Sequence, residues 1–302
     1  MDTLAVLERG KEKINAKEPV ELVQIVHSDG STPRSTDAYM VIDAAGEIFG
    51  TIGGGNGEYH AILDGKALLE EKQDGEKTYI MRPNEVADLG LICGGTIVVQ
   101  FTYLSAETEE ARKKSCALLE AVIARLTEEK VTVYLFGGGH VSLETARVLH
   151  DVGFETVVID DRAEFVTRER FPYAKELIAC PYEQVFERLS LGARDFVLIM
   201  TRGHLCDYTV QKNALKTKAG FIGLIGSHRK IEVSFDKLRA DGFDETEIGR
   251  FFAPVGLQIG AETPEEIAVS IAAELILARA VLEGRRKVLE HKTLKLEEMR
   301  HI

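Results

Sequence analysis

One stretch of the chain, residues 131–162, constrains the possible fold more than any other. Residues 131–136 form a β-branched and apolar run that is typical of a buried parallel strand. The run breaks at three consecutive glycines, residues 137–139, and an amphipathic helical pattern follows at once. A second apolar run, residues 156–159, ends at Asp160. This order of strand, glycine turn, helix and strand predicts a βαβ unit of a doubly wound parallel sheet.

The glycine turn has the features of a dinucleotide-binding site. Gly137 permits the tight turn, and Gly139 lets the backbone approach a pyrophosphate group at the N-terminus of the following helix. Asp160 lies about 20 residues later, where a carboxylate can accept a hydrogen bond from a ribose 2′-OH. Ser142 stands in place of the third glycine of the usual pattern, and His140 is the first side chain after the turn. The alternative is a Rossmann fold whose nucleotide site is empty or altered.

Charge and composition argue against several classes of protein. The 302-residue chain has a formal net charge of −12 and no long basic run, so we expect neither nucleic acid nor an anionic membrane as a partner. The N-terminus lacks the pattern of a secretion signal, and no apolar run approaches the roughly 20 residues of a membrane span. The four cysteines are scattered without a CxxC pair, which favours free thiols in a reducing cytoplasm.

The first region, residues 1–105, alternates short strands with helices and is predicted to be an α+β domain. A glycine cluster, residues 53–57, stands at a predicted junction between a strand and a helix. Ordering so many glycines has a cost in conformational entropy. A close approach of the backbone to a ligand is the usual reason for such a cluster. We therefore expect Gly53, Gly54 and Gly55 to bind an anionic ligand, with a flexible turn as the alternative.

Cys93 lies in a second glycine-rich segment of this region. Two apolar residues precede it and two glycines follow it. A thiol in a glycine loop is accessible, and nearby backbone N–H groups favour its thiolate form, so Cys93 is a candidate reactive residue. The alternative is that Cys93 packs as a small hydrophobic side chain, which is the commonest role of a free cysteine.

The rest of the chain divides into three further parts. Residues 106–130 form a long charged helix that we expect to connect two domains. Residues 131–283 continue in a regular α/β alternation and form the predicted Rossmann-like domain. Residues 284–302 are a highly charged tail, which we interpret as a solvated or frayed helix and a candidate oligomerisation arm.

Two loops of the predicted Rossmann domain, residues 201–207 and 226–230, also follow predicted strands. In a doubly wound sheet, ligands bind beyond the carboxyl ends of the strands, so these loops are expected to converge with the glycine turn. His204 is a candidate acid, base or hydrogen-bond donor, although a loop histidine is often incidental. Arg229 and Lys230 are candidate phosphate ligands.

Several motifs together resemble those of one protein family. They are GSTPR (30–34), GTIGGGNGE (50–58), CGG (93–95), LFGGGHV (135–141), VIDDR (158–162), MTRGHLCD (200–207), GLIGSHRK (223–230) and PVGLQIGAETPEEIAVSI (254–271). In these motifs and in their order the chain resembles the XdhC/CoxI family, accessory factors for molybdenum hydroxylases such as xanthine dehydrogenase. The resemblance covers roughly residues 20 to 280 and is far more specific than any single motif.

The resemblance implies an N-terminal cofactor-handling domain followed by a Rossmann domain. Similar proteins bind molybdenum cofactor, assist the exchange of its terminal oxo ligand for sulfur with a cysteine desulfurase, and deliver it to the apo-hydroxylase. The chain is therefore expected to be a cofactor chaperone or maturation factor rather than an enzyme of ordinary turnover. From the charged helices and tail we also expect a homodimer.

The residue patterns and the resemblance together give a set of candidate site residues. The candidate catalytic residues are Cys93, His204 and Asp207, and Cys93 is also a candidate contact to molybdenum. The candidate cofactor-binding residues are Arg34, Gly53, Gly54, Gly55, Glu58, Gly137, Gly139, His140, Asp160, Ser227 and Arg229. One departure from the family concerns Arg202, since relatives often have histidine there.

Two other functions use the same residue patterns. The first is an NAD(P)-dependent oxidoreductase, which the unit from Gly137 to Asp160 supports but which would leave the glycine-rich first domain without a role. The second is an NAD(H)-binding redox sensor that acts on a partner. The Rossmann site is expected to hold NAD(P) or the nucleotide part of a dinucleotide-form cofactor, and Asp160 favours an unphosphorylated ribose.

Overall fold

The computed structural model describes residues 3–30, 38–81 and 95–284. Within it the chain divides into two compact units, Met1–Glu128 and Glu129–Ile302. The candidate residues Arg34 and Cys93, and the predicted tail beyond residue 284, lie outside the described residues.

The first unit is an α+β structure built on one antiparallel sheet. Its described strands pair in the order β3-β2-β1-β5-β4. The strands are β1 (Val20–Gly30), β2 (Tyr39–Asp43), β3 (Ile48–Gly50), β4 (Gly75–Met81) and β5 (Gly95–Leu104), and the helices are α1 (Thr3–Asn15), α2 (Gly55–Glu71) and α3 (Glu109–Glu128).

Alternating side chains of the central strand β1 serve two separate cores. Val20 and Leu22 pack in the core that also contains apolar residues of α1 and α3. Val23 and Ile25 belong to the other core, with apolar residues of α2, β2 and β5. This alternation follows from the period of two in a strand, which sends successive side chains to opposite faces.

The segment expected to connect the two domains, residues 106–130, forms α3 over most of its length. This helix packs on α1, and its Leu119 is fully buried in the core beside them. The division between the units falls at Glu128 and Glu129, so the structure places α3 inside the first unit.

The second unit contains a six-stranded sheet flanked by helices. Its strands are β6 (Thr132–Phe136), β7 (Glu155–Asp160), β8 (Glu176–Ala179), β9 (Asp195–Ile199), β10 (Phe221–Leu224) and β11 (Phe251–Phe252). Its described helices are α4 (His140–Asp151), α5 (Tyr182–Val185), α6 (His204–Leu215), α7 (His228–Ala240), α8 (Glu245–Ile248) and α9 (Pro264–Leu282), with a 3₁₀ turn at Ala163–Phe165.

All strand pairs of this sheet are parallel, in the order β11-β10-β9-β6-β7-β8. The order reverses direction between β6 and β9, which is the Rossmann topology, and the predicted fold class is confirmed. Phe136 pairs with both Ile159 and Ile199, and Ile199 pairs with Leu224. The strands are therefore level at their carboxyl ends, and the loops that follow β6, β7, β9 and β10 leave the sheet at one edge.

The two faces of the parallel sheet carry separate apolar cores. One face packs on α4 and α9 through residues such as Leu149, Ile271 and Leu275. The other packs on α5, α6, α7 and α8 through residues such as Val210 and Leu238. Strands that are covered on both faces explain the near-continuous apolar runs of the sequence. In the part of the chain that the structure describes, no helix is long and apolar enough to cross a membrane.

In the described part of the first unit, the buried carboxylate of Glu21 has no hydrogen-bond partner. Glu21 on β1 is fully buried, and its neighbours in the strand register are Ile42 and Tyr103. Among the described residues, neither carboxylate oxygen of Glu21 nor the hydroxyl of Tyr103 has a hydrogen-bond partner. Burial, with a smaller contribution from the negative charge of Asp74, raises the pKa of Glu21 to about 8. Because burial disfavours the charged form, Glu21 is held protonated at neutral pH.

This buried carboxyl makes the stability of the protein depend on pH. The pKa of Glu21 is higher in the native state than the usual value of 4.5, so the free energy of unfolding should fall as the pH rises from about 4.5 to about 8. Glu21→Gln removes the ionisation. We expect the variant to be more stable than the natural chain by roughly 4 kcal/mol at about pH 9, and similar to it near pH 5.

The measurement is urea unfolding followed by circular dichroism at both pH values. Glu76→Gln is the matched control, because Glu76 is exposed on β4 of the same sheet. Equal effects of the two substitutions, or a Glu21→Gln effect that does not change with pH, would contradict the assignment.

Candidate functional site

The glycine loop, made of Gly137, Gly138 and Gly139, joins β6 to α4. Gly137 has a φ of +111°, and a Cβ there would lie 2.3 Å from the carbonyl oxygen of Met200. A Cβ on Gly138 would lie 2.6 Å from the carbonyl oxygen of Phe165. Around Gly139, the N-cap of α4, a Cβ would meet nothing within 4 Å. The first two glycines are therefore required by the close approach of neighbouring backbone, and the third leaves open space at the helix N-terminus.

Asp160 ties this glycine loop to the end of β7. Its Oδ2 accepts hydrogen bonds from the Gly138 N–H at 2.8 Å and from Arg162 Nη2 at 3.0 Å. Its Oδ1 accepts from the Arg162 N–H at 3.0 Å and from Arg162 Nε at 2.9 Å. Burial by itself would raise the pKa of Asp160, but the hydrogen bonds from Arg162 and Gly138 hold it below its usual value.

Asp160 is expected to contact a ribose hydroxyl, and in this conformation its carboxylate accepts hydrogen bonds from the protein itself. The side chain is fully buried, and each oxygen already accepts from two donors. A ribose hydroxyl would have to displace Arg162 to reach it. In this conformation Asp160 is a structural residue that positions the glycine loop.

Two arginines that the sequence reasoning did not single out lie beside the glycine loop. The Arg162 guanidinium stacks at 3.6 Å from the ring centroid of Phe165, and that of Arg170 lies 5.2 Å from the same centroid. Arg170 Nη2 also donates to the Gly138 carbonyl at 2.8 Å. Gly138 is thus held at its N–H by Asp160 and at its carbonyl by Arg170. The VIDDR motif signals Arg162, but no local pattern signals Arg170.

Two other residues of this motif occupy contrasting positions. His140 is the first residue of α4, and its side chain is exposed. Ser142, at the position of the usual third glycine, is 1% exposed, and its hydroxyl has no hydrogen-bond partner among the described residues. A serine is therefore accommodated at this buried position of α4.

The loop after β9 is shorter than the expected residues 201–207, because α6 begins at His204. Gly203 adopts an extended N-cap conformation. Asp207 in the first helical turn accepts hydrogen bonds from the N–H of Thr201 at 3.1 Å and from its hydroxyl at 2.6 Å. These bonds fix the passage from strand to helix, so Asp207 has a structural role in this conformation. For His204 the structure describes only the backbone.

The helix α7 also begins earlier than the sequence pattern indicated, at His228 with Ser227 as its N-cap. Arg229 and Lys230 therefore lie in its first turn, where both side chains are exposed. Among the described residues, neither side chain forms an ion pair. Two uncompensated cations stand beside a helix N-terminus, and both features favour an anion.

A cavity of about 650 Å³ lies between α6 and α7 at the carboxyl ends of β9 and β10. Its cationic lining residues are Arg202, Arg229, Lys230 and Lys237, and its apolar lining includes Leu224, Ile225, Ile231 and Val233. The volume falls within the range of small-molecule sites, which combine apolar walls with a few polar groups. Of the three loops that were expected to converge, residues 201–207 and 226–230 line this cavity, and the glycine loop is not among its lining residues.

The helices that begin at this edge differ from others in the same unit at their first turns. The helices α8 and α9 begin with capping boxes built on Asp244 and Thr263. The helices α4, α6 and α7 have N-cap residues that make no side-chain capping bond within the described part of the chain, so their N–H groups and positive dipole ends are available to a ligand. Those N-cap residues are Gly139, Gly203 and Ser227.

The first unit contains a second glycine turn, between β3 and α2. Gly53, Gly54 and Gly55 have φ angles of +129°, +77° and +70°, which other residues rarely adopt. A Cβ on Gly54 or Gly55 would meet nothing within 4 Å. The backbone angles, and not crowding inside the protein, therefore require glycine at these two positions.

Glu58 orders this turn from the first helical residues of α2. Its Oε2 accepts from the N–H groups of Ile52 at 2.8 Å, Gly53 at 3.2 Å and Gly54 at 3.0 Å, and from the Thr51 hydroxyl. Burial by itself would raise the pKa of Glu58, but these hydrogen bonds hold it below its usual value. Glu58 was expected to bind a cofactor, and in this conformation its Oε2 binds the backbone of its own turn.

Two cysteines, Cys93 and Cys206, bear on thiol chemistry at these loops, and the structure describes only Cys206. Cys93 lies outside the described residues, as does Arg34. Cys206, in the first turn of α6, is partly buried, and burial together with the nearby charge of Asp161 raises the pKa of its thiol. Cys206 is therefore a poor nucleophile at neutral pH. Within residues 3–30, 38–81 and 95–284, no group of three or more His, Cys, Asp or Glu side chains is placed to hold a metal ion.

We expect Glu58→Gln to loosen the glycine turn of the first unit. A neutral amide oxygen accepts hydrogen bonds more weakly than a carboxylate, so the change should cost about 1–2 kcal/mol of local stability. Hydrogen–deuterium exchange at the amides of residues 52–54 should become roughly tenfold faster. Glu70→Gln, at an exposed position on the same helix, is the control. Unchanged exchange in Glu58→Gln would show that the carboxylate does not order the turn.

Comparison with known protein families gives two matches. The XdhC Rossmann domain matches residues 133–275, and the XdhC and CoxI family matches residues 14–80. The first match covers most of the second unit, including the glycine loop and the cavity. The second covers much of the first unit, including the glycine turn that Glu58 orders.

Curated relatives include two bacterial proteins. The uncharacterized protein YqeB of Escherichia coli strain K12 is 33% identical over 259 residues, which cover 85% of this chain and 43% of that protein. A probable xanthine dehydrogenase subunit of Bacillus subtilis strain 168 is 34% identical over 152 residues, which cover 50% of this chain and 44% of that protein. The matched regions thus span less than half the length of both relatives.

A solved structure shows the same fold. It is the crystal structure of a xanthine dehydrogenase from Bacillus halodurans, with a TM-score of 0.74, 22% sequence identity, and coverage of 95% of this chain and 97% of that one. At this identity the likeness concerns the fold alone. The two family matches follow one another along the chain in the order that the sequence motifs predicted, and the chain belongs to the XdhC and CoxI family.

Proposed function

We propose that this chain is an accessory protein that binds molybdenum cofactor, assists its sulfuration and inserts it into a molybdenum hydroxylase such as xanthine dehydrogenase. One observation carries the proposal: three uncapped helix N-termini and a cationic cavity lie at one edge of the Rossmann sheet. Such an edge suits phosphate groups. Molybdopterin ends in a phosphate or in a dinucleotide, and it is here the cargo of the protein.

The distribution of charge supports an anionic cargo. The chain as a whole has a formal net charge of −12, yet Arg229, Lys230 and Lys237 all line one cavity. Like charges that stand together in an acidic protein repel each other unless an anion compensates them. The apolar wall formed by residues such as Leu224 and Ile231 suits the ring system of a pterin.

The first unit is proposed to take part in the sulfuration of the cofactor. The turn at Gly53 and Gly54 is ordered by Glu58, and its open side leaves room for a ligand to approach the backbone. Cys93 is proposed as the thiol that contacts the molybdenum or carries the sulfur during sulfuration, and Arg34 as a ligand of the cofactor. A cysteine desulfurase would supply the sulfur, and an apo-hydroxylase would receive the cofactor. We also propose a homodimer in the cytoplasm.

A second candidate function, an NAD(P)-dependent oxidoreductase or NAD(H)-binding redox sensor, is favoured by the open space at Gly139 on the glycine loop. A standard NAD site is disfavoured, because both oxygens of Asp160 already accept hydrogen bonds from protein donors. Micromolar binding of NADH without binding of molybdenum cofactor would favour this candidate over the first.

We expect the double substitution Arg229→Gln and Lys230→Gln to weaken binding of molybdenum cofactor by about tenfold or more. Hydrogen bonds to charged groups contribute roughly 1.5–3 kcal/mol each, and the variant removes both cations from the first turn of α7. The measurement is anaerobic titration of the purified chain with the cofactor, with protein-bound molybdenum quantified after ultrafiltration.

Lys216→Gln is the control for this titration, because Lys216 is an exposed cation at the opposite end of α6. If the control weakens binding as much as the double variant, the effect is one of total charge and the cavity is not the site. If the natural chain binds no cofactor, the proposed function itself is wrong.

Cys93→Ala tests the proposed role of the thiol in sulfuration. We expect the variant to bind the phosphate end of the cofactor but to lose at least about tenfold in its ability to activate an apo-hydroxylase supplied with sulfur by a cysteine desulfurase. Cys116→Ala is the matched control, since Cys116 is a partly buried free cysteine on α3 whose pKa is raised by burial. Equal activation by both variants would leave Cys93 with a packing role.

A further inference from the structure

An ion pair spans the carboxyl end of β6. Arg202 Nη2 donates to Asp161 Oδ2 at 2.9 Å. Asp161 directly follows β7, Arg202 lies three residues beyond the end of β9, and β6 lies between these two strands. The pair therefore joins the two loops that flank the glycine loop on either side.

The glycine loop is in close contact with both of these flanking loops. A Cβ on Gly137 would lie 3.0 Å from Thr201 Cα, and one on Gly138 would lie 2.6 Å from the carbonyl oxygen of Phe165. An anion bound at the open N-terminus of α4 would thus lie between the loop that carries Arg202 and the loop that carries Asp161. Arg202 also lines the cavity between α6 and α7, and the residue before it, Thr201, lies against the glycine loop.

From this geometry we propose that Arg202 is a ligand for a pyrophosphate group. In the free protein the ion pair with Asp161 holds the Arg202 guanidinium in place until the anion binds, and we call this the reserve role of Asp161. This inference rests on the proposed function, in which the Rossmann edge binds a phosphate-bearing ligand. Binding exchanges one partner of Arg202 for another: the guanidinium leaves the Asp161 carboxylate and donates to the pyrophosphate.

The surroundings of the pair make this exchange favourable. The Arg202 side chain is 53% exposed, and an ion pair so open to solvent is weak. A pyrophosphate carries more charge than a carboxylate and matches the planar donor geometry of arginine. Asp161 is not left without a cation when Arg202 leaves, because Arg162 Nε lies 3.7 Å from Asp161 Oδ1. That oxygen has no hydrogen-bond partner among the described residues and can accept one.

The test is a double-mutant cycle on the full chain, with ADP as the pyrophosphate-bearing probe and isothermal titration calorimetry at low ionic strength. Asp161→Asn should bind ADP about two- to fivefold more tightly than the natural chain, because a partly exposed ion pair opposes binding by no more than this factor. Arg202→Gln should bind roughly fivefold or more weakly. In the Arg202→Gln background, Asp161→Asn should have no further effect.

Glu164→Gln is the control for charge alone, since Glu164 is an exposed acid in the same loop as Asp161. If Asp161→Asn tightens binding equally with and without Arg202, or if Glu164→Gln has the same effect, the change is general electrostatics and the proposal is overturned. If the natural chain binds ADP and both single variants bind it equally well, Arg202 is not a ligand and the proposal fails, while the phosphate site stands. If no variant binds ADP, both the reserve role and the phosphate site fail.

Discussion

The carboxylate of Asp160 is the interaction on which the carboxyl edge of the second unit depends. It receives the N–H of Gly138 and three donors of Arg162, and it is fully buried. A buried carboxylate without such donors would be strongly destabilising. The donors therefore stabilise Asp160, and Asp160 in turn positions the glycine loop. Arg170 donates to the carbonyl of the same glycine. The N–H and the carbonyl of Gly138 are therefore both held by side chains, which determines the position of the loop.

The glycine-rich turns of the two units differ in where the negative charge beside their backbone N–H groups comes from. Each unit has a glycine-rich turn between a strand and a helix, where backbone N–H groups favour a negative charge. In the first unit the protein supplies that charge itself, through Glu58. In the described part of the second unit no N-cap side chain bonds to the first turn of α4, α6 or α7, and the cavity beside them is lined by arginines and lysines. The second edge is therefore complementary to an anion that the chain does not provide, which is the physical basis for the proposal that it binds the phosphate-bearing end of the cofactor.

The sequence predicted two of the loops that line the cavity, and the differences between the predicted and observed helix starts have identifiable causes. Parallel strands end at one edge, so strand prediction alone was enough to bring residues 201–207 and 226–230 together at the cavity. The starts of α6 and α7 were placed too late, because the N-cap of α6 is Gly203, which has no side chain, and Ser227 of α7 is followed at the third helical position by Lys230 and not by the Glu or Gln of a capping box. The contact of Asp160 with Arg162 was not foreseen, because a motif gives spacing but not the direction in which an acid points.

The family was predicted from the resemblance of several motifs, whereas the fold class, the α/β alternation of the second unit and the two glycine turns were predictable from the residues alone. These follow from local properties: side-chain periodicity, the freedom of glycine to adopt positive φ, and the apolar runs of strands buried on both faces. The tertiary structure decided which charged groups meet. The contacts of Arg170 with Gly138 and of Arg202 with Asp161 join residues far apart in the chain. Such pairs depend on the order of strands in the sheet, which brings distant loops together at one edge and leaves no mark in the local sequence.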